Sequence, residues 1–336
     1  MTHNVEHQFD LNRILICGLG SIGRRHARIF NELIPGIDLS VYRSGHGKSC
    51  PELELMSNHF SDITTAIGWK PDAAVIATPA PFHQYQALML ARHGIPLLIE
   101  KPVGVGTECQ AEWDELLHYS KNQTIAVGYV LRHDPCASYV KEKIDSLELG
   151  QLLEADFYCG SWLPEWRPES DYRECVSSRK SMGGGALLEI SHEIDLAYWF
   201  FGNLEIDFAN LKKSGLLDID VEDQVFISGH SAKCLSITLR MNFCTMPPRR
   251  SVLLRFEKGE ITWSILKGEV QVYTSSRGTY KFTIEQDKDE RYRSQAKNFM
   301  SSICSNQPLS CSLHDGLKVM KIINTARVKA MNPEMQ

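Results

Sequence analysis

The chain has 336 residues, 43% of them hydrophobic, and a formal net charge of -5, which is enough to bury large cores and suggests roughly two domains of about 100 to 200 residues each. No run of five or more like charges occurs, so nothing favours a nucleic-acid partner or a polybasic membrane surface. Ten cysteines are scattered without a CxxC pair, the polar start MTHNVEHQFDLN has no hydrophobic signal core, and no apolar run approaches the ~20 residues of a spanning helix; these features predict a cytoplasmic protein in a reducing compartment.

The first part of the chain alternates two kinds of segment. RILICGLG reads as a buried strand, SIGRRHARIFNELI as a helix, IDLSVYR and AAVIATP as strands, FHQYQALMLARHG as a helix and IPLLIEKP as a strand. Short apolar runs separated by amphipathic helices predict right-handed βαβ units on a doubly wound parallel sheet. The helix AEWDELLHYSKN and the strand TIAVGYV complete a Rossmann domain over residues 1–125. Beyond it, LLEADFYCGSW, DQVFISGH, CLSITLRMNF, RSVLLRFEKG, EITWSILKG and EVQVYTS read as strands joined mostly by short turns. They predict an α+β domain over 126–336 with a large, open-faced, mainly antiparallel sheet, a face of which is expected to pair subunits into a homodimer or homotetramer. The helices DERYRSQAKNFMSSICS and LHDGLKVMKIINTARVKA end the chain and are expected to pack back on the first domain.

ILICGLGSIGRRHA carries Gly18, Gly20 and Gly23 as GxGxxG between a strand and a helix. Gly18 permits the tight turn, Gly20 lets backbone approach a pyrophosphate, and Gly23 lets helix pack on strand; Ser21 and Ile22 add their amides at the helix start. A carboxylate for a ribose 2′-hydroxyl is missing from LSVYRSGHGKS, where Arg43, Ser44 and Lys48 suit a 2′-phosphate, so NADP is favoured over NAD. Thr78, Pro79 and His83 follow the next strand at the edge where ligands sit, and Glu100 and Lys101 end the strand after it. A lysine there can hydrogen-bond a reacting hydroxyl and favour its alkoxide character as hydride leaves.

GLGSIGRRHA, VIATP followed by His83, EKP and GGGALLEISHEID, in that order and spacing, resemble the glucose-fructose oxidoreductase, inositol dehydrogenase and MocA family over nearly the whole chain. The resemblance implies a nicotinamide cofactor and oxidation or reduction at a carbon of a sugar or cyclitol. By the same resemblance Lys101 matches the EKP lysine and His192 the histidine that exchanges a proton with the substrate hydroxyl, a task suited to histidine, whose unperturbed pKa is about 6.5. Many family members have an aspartate where Leu188 stands. On a regular helix over 186–201, Asp195 lies about 60° from His192 on the side of Leu188 and Glu189 about 60° on the other side; Glu189 is turned about 100° from the Leu188 position and cannot replace that aspartate, so Asp195 is the expected second carboxylate.

The preceding loop, GSWLPEWRPESDYRECVSSRKSMGGG, resembles a subgroup tied to acidic sugars and surface polysaccharides. Arg167 and Arg173, with Arg179 and Lys180 near them, suit a carboxylate or phosphate, and Trp166 or Tyr172 a sugar face. Tyr129 and Arg132 in GYVLRHDP are expected to line a cleft between the domains, although Val130 stands where the family commonly has Asn. His26, His133 and His230 lack metal-ligand spacing, so no metal is expected. The expected activity is an NAD(P)-dependent oxidoreductase of a sugar, acidic sugar or nucleotide-linked sugar. The rivals are a non-catalytic dinucleotide sensor of the same fold and a dehydrogenase of a non-sugar substrate.

Overall fold

A computed structural model describes residues 9–45, 49–285, 287 and 289–331. The chain divides into two compact units, one made of residues 1–130 and 288–315, the other of residues 131–287 and 316–336.

The first unit is a wound α/β sheet. In chain order it runs β1 (Arg13–Cys17), α1 (Ser21–Leu33), β2 (Asp38–Tyr42), β3 (Met56–Phe60), α2 (Ile63–Gly68), β4 (Ala73–Ile76), α3 (His83–Ala91), β5 (Leu97–Ile99), α4 (Gln110–Tyr119) and β6 (Ile125–Val127). All strand pairs are parallel, in the order β3-β2-β1-β4-β5-β6. Strands buried on both faces need continuous apolar runs, and β1, β4 and β5 supply them. The strand order reverses between β1 and β4, which opens a crevice beyond their carboxyl ends. The core around Ile14, Ile16, Phe30 and Val75 also takes Ala296, Phe299 and Met300. They come from a late helix, labelled α8 below, so this part of the chain returns to the first unit.

The second unit begins with α5 (Pro135–Asp145), capped by the Asp134 carboxylate on the Cys136 N–H at 2.7 Å. It continues with β7 (Leu152–Gly160), α6 (Ala186–Glu189), α7 (His192–Phe201), β8 (Glu205–Lys212), β9 (Gln224–Ser231), β10 (Cys234–Asn242), β11 (Arg249–Phe256), β12 (Gly259–Ser264), β13 (Glu269–Thr274) and β14 (Gly278–Thr283). Helix α8 (Glu290–Ser305) belongs to the first unit, and α9 (Leu313–Met331) closes the described chain. The eight strands lie in the order β14-β13-β12-β11-β7-β10-β9-β8. Every pairing is antiparallel except that of β7 with β10. Along β7 the side chains alternate: Ala155 and Phe157 are buried, and Phe157 meets Phe200 and Phe201 of α7, while Glu154, Asp156 and Tyr158 lie on the more open face.

One expected element is corrected. The regular helix over 186–201 is broken at Ile190 (φ -98°, ψ 22°) and Ser191 (φ -62°, ψ -8°), giving α6 and α7. Anchors at both ends explain the break. The start of α6 is held by residue 222, whose carbonyl accepts the Ala186 N–H at 3.0 Å and whose carboxylate accepts the Leu187 N–H at 3.1 Å. Helix α7 is held by two ion pairs described below. The residues between take up the difference through tighter bonds, Ser191 N–H to Leu188 O at 3.4 Å and Glu193 N–H to Ile190 O at 3.3 Å.

Candidate functional site

In the first unit the glycine loop crosses from β1 to α1. Gly18 has φ +89°, and a Cβ there would lie 2.9 Å from the Ala77 carbonyl oxygen; a Cβ on Gly23 would lie 2.0 Å from the Gly18 oxygen. These two glycines serve the turn and the helix contact. Gly20 differs: a Cβ there meets nothing within 4 Å, and its φ of -71° suits any residue. It caps α1, whose first turn has no acidic residue, so the free N–H groups of Ser21, Ile22 and Gly23 face outward at the positive end of a 13-residue helix. Gly20 and Ser21 are exposed and Ile22 is half-buried. This cradle fits a dinucleotide pyrophosphate, and the prediction follows that Gly20→Ala leaves the unfolding midpoint unchanged but weakens dinucleotide binding roughly tenfold, because the added methyl covers the amides. Calorimetric titration beside thermal unfolding checks it.

Arg43 and Ser44 follow β2 at the same edge, Arg43 half-buried and Ser44 exposed. Lys48 lies outside the described residues. Thr78 and Pro79 are half-buried beyond β4, the Thr78 hydroxyl donating to Gln86 Oε1 at 2.8 Å. Lys101, half-buried, follows Glu100 immediately beyond β5. The structure therefore gathers Gly18, Gly20, Arg43, Thr78 and Lys101 at one sheet edge.

Four residues expected at a ligand have their side chains inside the protein. His83 is 1% exposed and braces two loops, Nε2 against the Thr78 carbonyl at 2.7 Å and Nδ1 against that of Pro102 at 2.9 Å. Burial pushes its pKa down against the pull of both carbonyls. Glu100 is buried against His26, with Nε2 and Oε1 2.7 Å apart. Tyr129 has no accessible surface. Asp195 is also fully buried, and the Arg132 guanidinium donates to both of its oxygens, with Nη2 2.7 Å from Oδ1 and Nε 3.1 Å from each. Those oxygens are thus engaged, and the expectation that Asp195 orients His192 gives way to a buried fork between α7 and the turn before α5.

In the second unit His192 opens α7 and is half-buried. On a regular helix Glu189 and Asp195 each lie about 60° from His192, on opposite sides; with both Asp195 oxygens held by Arg132, Glu189 is the carboxylate next considered for that histidine. Glu193, next to His192, is 1% exposed and takes the Arg250 guanidinium at 2.5 Å. Burial, with Glu193 nearby, pushes the Cys159 thiol up to about 12. The Arg132–Asp195 and Arg250–Glu193 pairs leave no local signal in the sequence, because their partners are 63 and 57 residues apart.

The aromatic loop turns through short 3-10 segments and leaves a hollow lined by Leu163, Trp166, Arg167, Tyr172, Cys175 and Ser177. Trp166 is fixed by its Nε1–H to Ser161 Oγ at 2.6 Å and edge-on contact with Phe243 at 5.2 Å, and the Tyr172 hydroxyl accepts the Asp218 N–H at 3.2 Å. Arg173 is engaged in a fork with Asp171, at 2.9 and 2.7 Å, and holds that carboxyl down at about 2. Arg167 is exposed and has no ion-pair partner among the described residues.

His133, near Arg132, is largely buried, and desolvation with the guanidinium charge lowers its pKa from 6.5 to about 4. The unfolded chain therefore binds a proton that the folded chain refuses between these values. Stability is whole above pH 6.5 and falls as pH drops toward 4, by about 3 kcal/mol at the limit. Denaturant titrations at pH 7 and pH 4.5 should show that loss, and His133→Gln should remove most of the part due to this residue.

Among the described residues no helix is long and apolar enough to cross a membrane, no group of His, Cys, Asp and Glu could hold a metal ion, and the ten cysteines form no disulfide.

Comparison with known proteins gives this geometry a lineage. Residues 12–129 match the oxidoreductase family with an NAD-binding Rossmann fold, and residues 138–262 match the GFO/IDH/MocA C-terminal domain. Among curated relatives, the 2,7-anhydro-N-acetylneuraminate hydratase of Mediterraneibacter gnavus is 23% identical over 253 residues, covering 73% of this chain and 65% of that protein. The inositol 2-dehydrogenase of Rhodococcus jostii is 26% identical over 193 residues, covering 56% of this chain and 50% of the relative. The chain thus spans 65% or less of the length of these relatives. In fold it resembles levoglucosan dehydrogenase in complex with NADH and levoglucosan, at TM-score 0.81 and 19% identity over 96% of this chain and 97% of that one. It also resembles the UDP-N-acetylglucosamine 3-dehydrogenase of Acidithiobacillus ferrooxidans, at TM-score 0.77 and 17% identity over 97% and 99%. With a glycine cradle on a parallel sheet, a lysine on the same edge and an open antiparallel sheet in the second unit, and with both of its domains matched, the chain belongs to the Gfo/Idh/MocA oxidoreductase family.

Proposed function

We propose that the protein is a nicotinamide-dependent oxidoreductase acting on a carbinol carbon of a sugar, an acidic sugar or a nucleotide-linked sugar. The observation that carries this reading is the shared sheet edge of the Gly18–Gly23 cradle and Lys101, one suited to a dinucleotide and the other to a reacting hydroxyl. When bound, the nicotinamide supplies C4 as hydride acceptor or donor. Lys101 hydrogen-bonds the substrate oxygen and stabilises the charge that develops there. His192 takes the hydroxyl proton during oxidation and returns it during reduction, with Glu189 as the carboxylate on its face. Gly20, Ser21, Ile22 and Gly23 hold the pyrophosphate, and Thr78 and Pro79 border it.

NADP is the preferred dinucleotide, supported by Arg43 and Ser44 beyond β2 and the lack of a carboxylate beside them. Arg167, with Trp166 and Tyr172 around the hollow, is the chosen contact for a substrate anion and sugar face. Names of relatives that point to neuraminate, inositol and a nucleotide sugar support the carbohydrate class. The open face of the eight-stranded sheet is the proposed surface for a homodimer or homotetramer, in the cytoplasm.

The test follows reduced-nicotinamide absorbance as the purified protein meets NADP or NAD with sugars, uronic and nonulosonic acids and nucleotide-linked sugars. Turnover with one class establishes the reading and names the substrate. Dinucleotide binding with no turnover across the panel and its reduced counterparts counts against it and toward a sensor.

A further inference from the structure

We infer that His26 and Glu100 act together as the positioning pair for Lys101; the inference rests on the oxidoreductase reading above. His26 lies on α1, three residues after Gly23, with no accessible surface, and Glu100 is 5% exposed at the end of β5. One carboxylate oxygen, Oε1, lies 2.7 Å from His26 Nε2; the other, Oε2, accepts the Lys101 N–H at 3.2 Å. A carboxylate oxygen accepts, so the ring nitrogen donates. His26 Nδ1 is buried with no hydrogen-bond partner among the described residues, so the tautomer with its hydrogen on Nε2 is the one the site selects.

The surroundings hold the carboxylate in one place. The Glu100 N–H donates to Ile76 O at 2.8 Å, and the backbone at Gly128 lies so close that a Cβ there would be 2.9 Å from Oε2. The His26 ring stands edge-on to Tyr292 at 6.1 Å and tilts against Phe30 at 6.4 Å. Burying a carboxylate is unfavourable, and apolar residues of the same volume would fill the space without that cost. What the polar pair adds is direction: it fixes the peptide from which Lys101 departs to the same helix whose N-terminus holds the pyrophosphate. Lysine amine and bound dinucleotide then share one rigid frame, and a displacement of about 1 Å in such a frame can cost about a hundredfold in rate.

A double-mutant cycle tests this. His26→Ala should leave dinucleotide affinity within about threefold and KM near wild type, while the single-turnover rate falls roughly thirtyfold. His26→Gln, which returns an N–H donor, should restore most of that rate. In a Lys101→Ala background, His26→Ala should change the remaining rate by less than about twofold, because its effect passes through the lysine. A full thirtyfold loss in that background, or equal losses in rate, dinucleotide affinity and unfolding midpoint, overturns the inference. Failure of the oxidoreductase reading is told apart by reductive methylation of Lys101, followed by mass spectrometry with and without NADPH. In that case, a labelling rate altered by His26→Ala at Lys101 but at no other lysine upholds the pair, and an unaltered rate overturns it.

Discussion

Lys101→Ala and His192→Ala are each expected to lower kcat by about a hundredfold to ten-thousandfold while dinucleotide affinity stays near that of the native protein. The reasons differ. Lys101 is asked to meet charge that exists in full only as hydride moves, so its loss should appear in kcat more than in KM. His192 is asked to move a proton, so its loss should also remove the limb of the kcat profile that reports its titration. A hydroxyl that must lose its proton as its carbon loses hydride needs both groups in one step, and the double variant should therefore fall by much less than the product of the single effects. Reduced-nicotinamide absorbance in single-turnover and steady-state modes reads all three. Turnover that survives His192→Ala with its pH profile intact would remove that residue from the mechanism. An undiminished rate in Lys101→Ala would do the same for the lysine.

Much of this site was legible in the sequence because its signals are local. GLGSIG between an apolar strand and an amphipathic helix can form few other structures, and EKP after LLI places a lysine at the sheet edge by strand length alone. The first sheet was readable because strands buried on both faces are continuously apolar. Strand β3, MSNHF, lies at the edge of that sheet and is half polar, so it and the short α2 went unseen. Strands β8 and β14 are the two edges of the larger sheet, with the same consequence. The parallel pairing of β7 and β10 joins residues about 80 apart, which no turn signal records.

The hidden part of the site is a matter of long-range anchoring. Periodicity over ALLEISHEIDLAYWFF predicts one unbroken helix. What overrides the local preference is tertiary: residue 222 holds one end, and Arg132 and Arg250 hold the other. Asp195, freed of any role beside the histidine, becomes part of the anchor.

Replacing that anchor carries the largest expected effect on stability. Asp195 and Arg132 have side-chain exposures of 0% and 3% and meet at 2.7 Å. Asp195→Ala removes the carboxylate but leaves the guanidinium charge in the interior, and breaking a buried ion pair from one side costs about 3 to 5 kcal/mol. For a unit of this size the loss corresponds to a fall of roughly 10 °C in the unfolding midpoint. The aromatic faces of Tyr198 and Trp199 lie 5.9 Å from the guanidinium carbon and offer only a weak substitute. Arg132→Met combined with Asp195→Leu should recover most of the loss, since two apolar residues leave no charge to strand. Recovery of stability without recovery of turnover would locate the pair's contribution in the register of α7, where it fixes His192. Recovery of both would mean that the anchoring of His192 survives on packing alone. A midpoint unchanged in Asp195→Ala would show that water reaches Arg132, and the fork would then be no anchor for the break at Ile190 and Ser191.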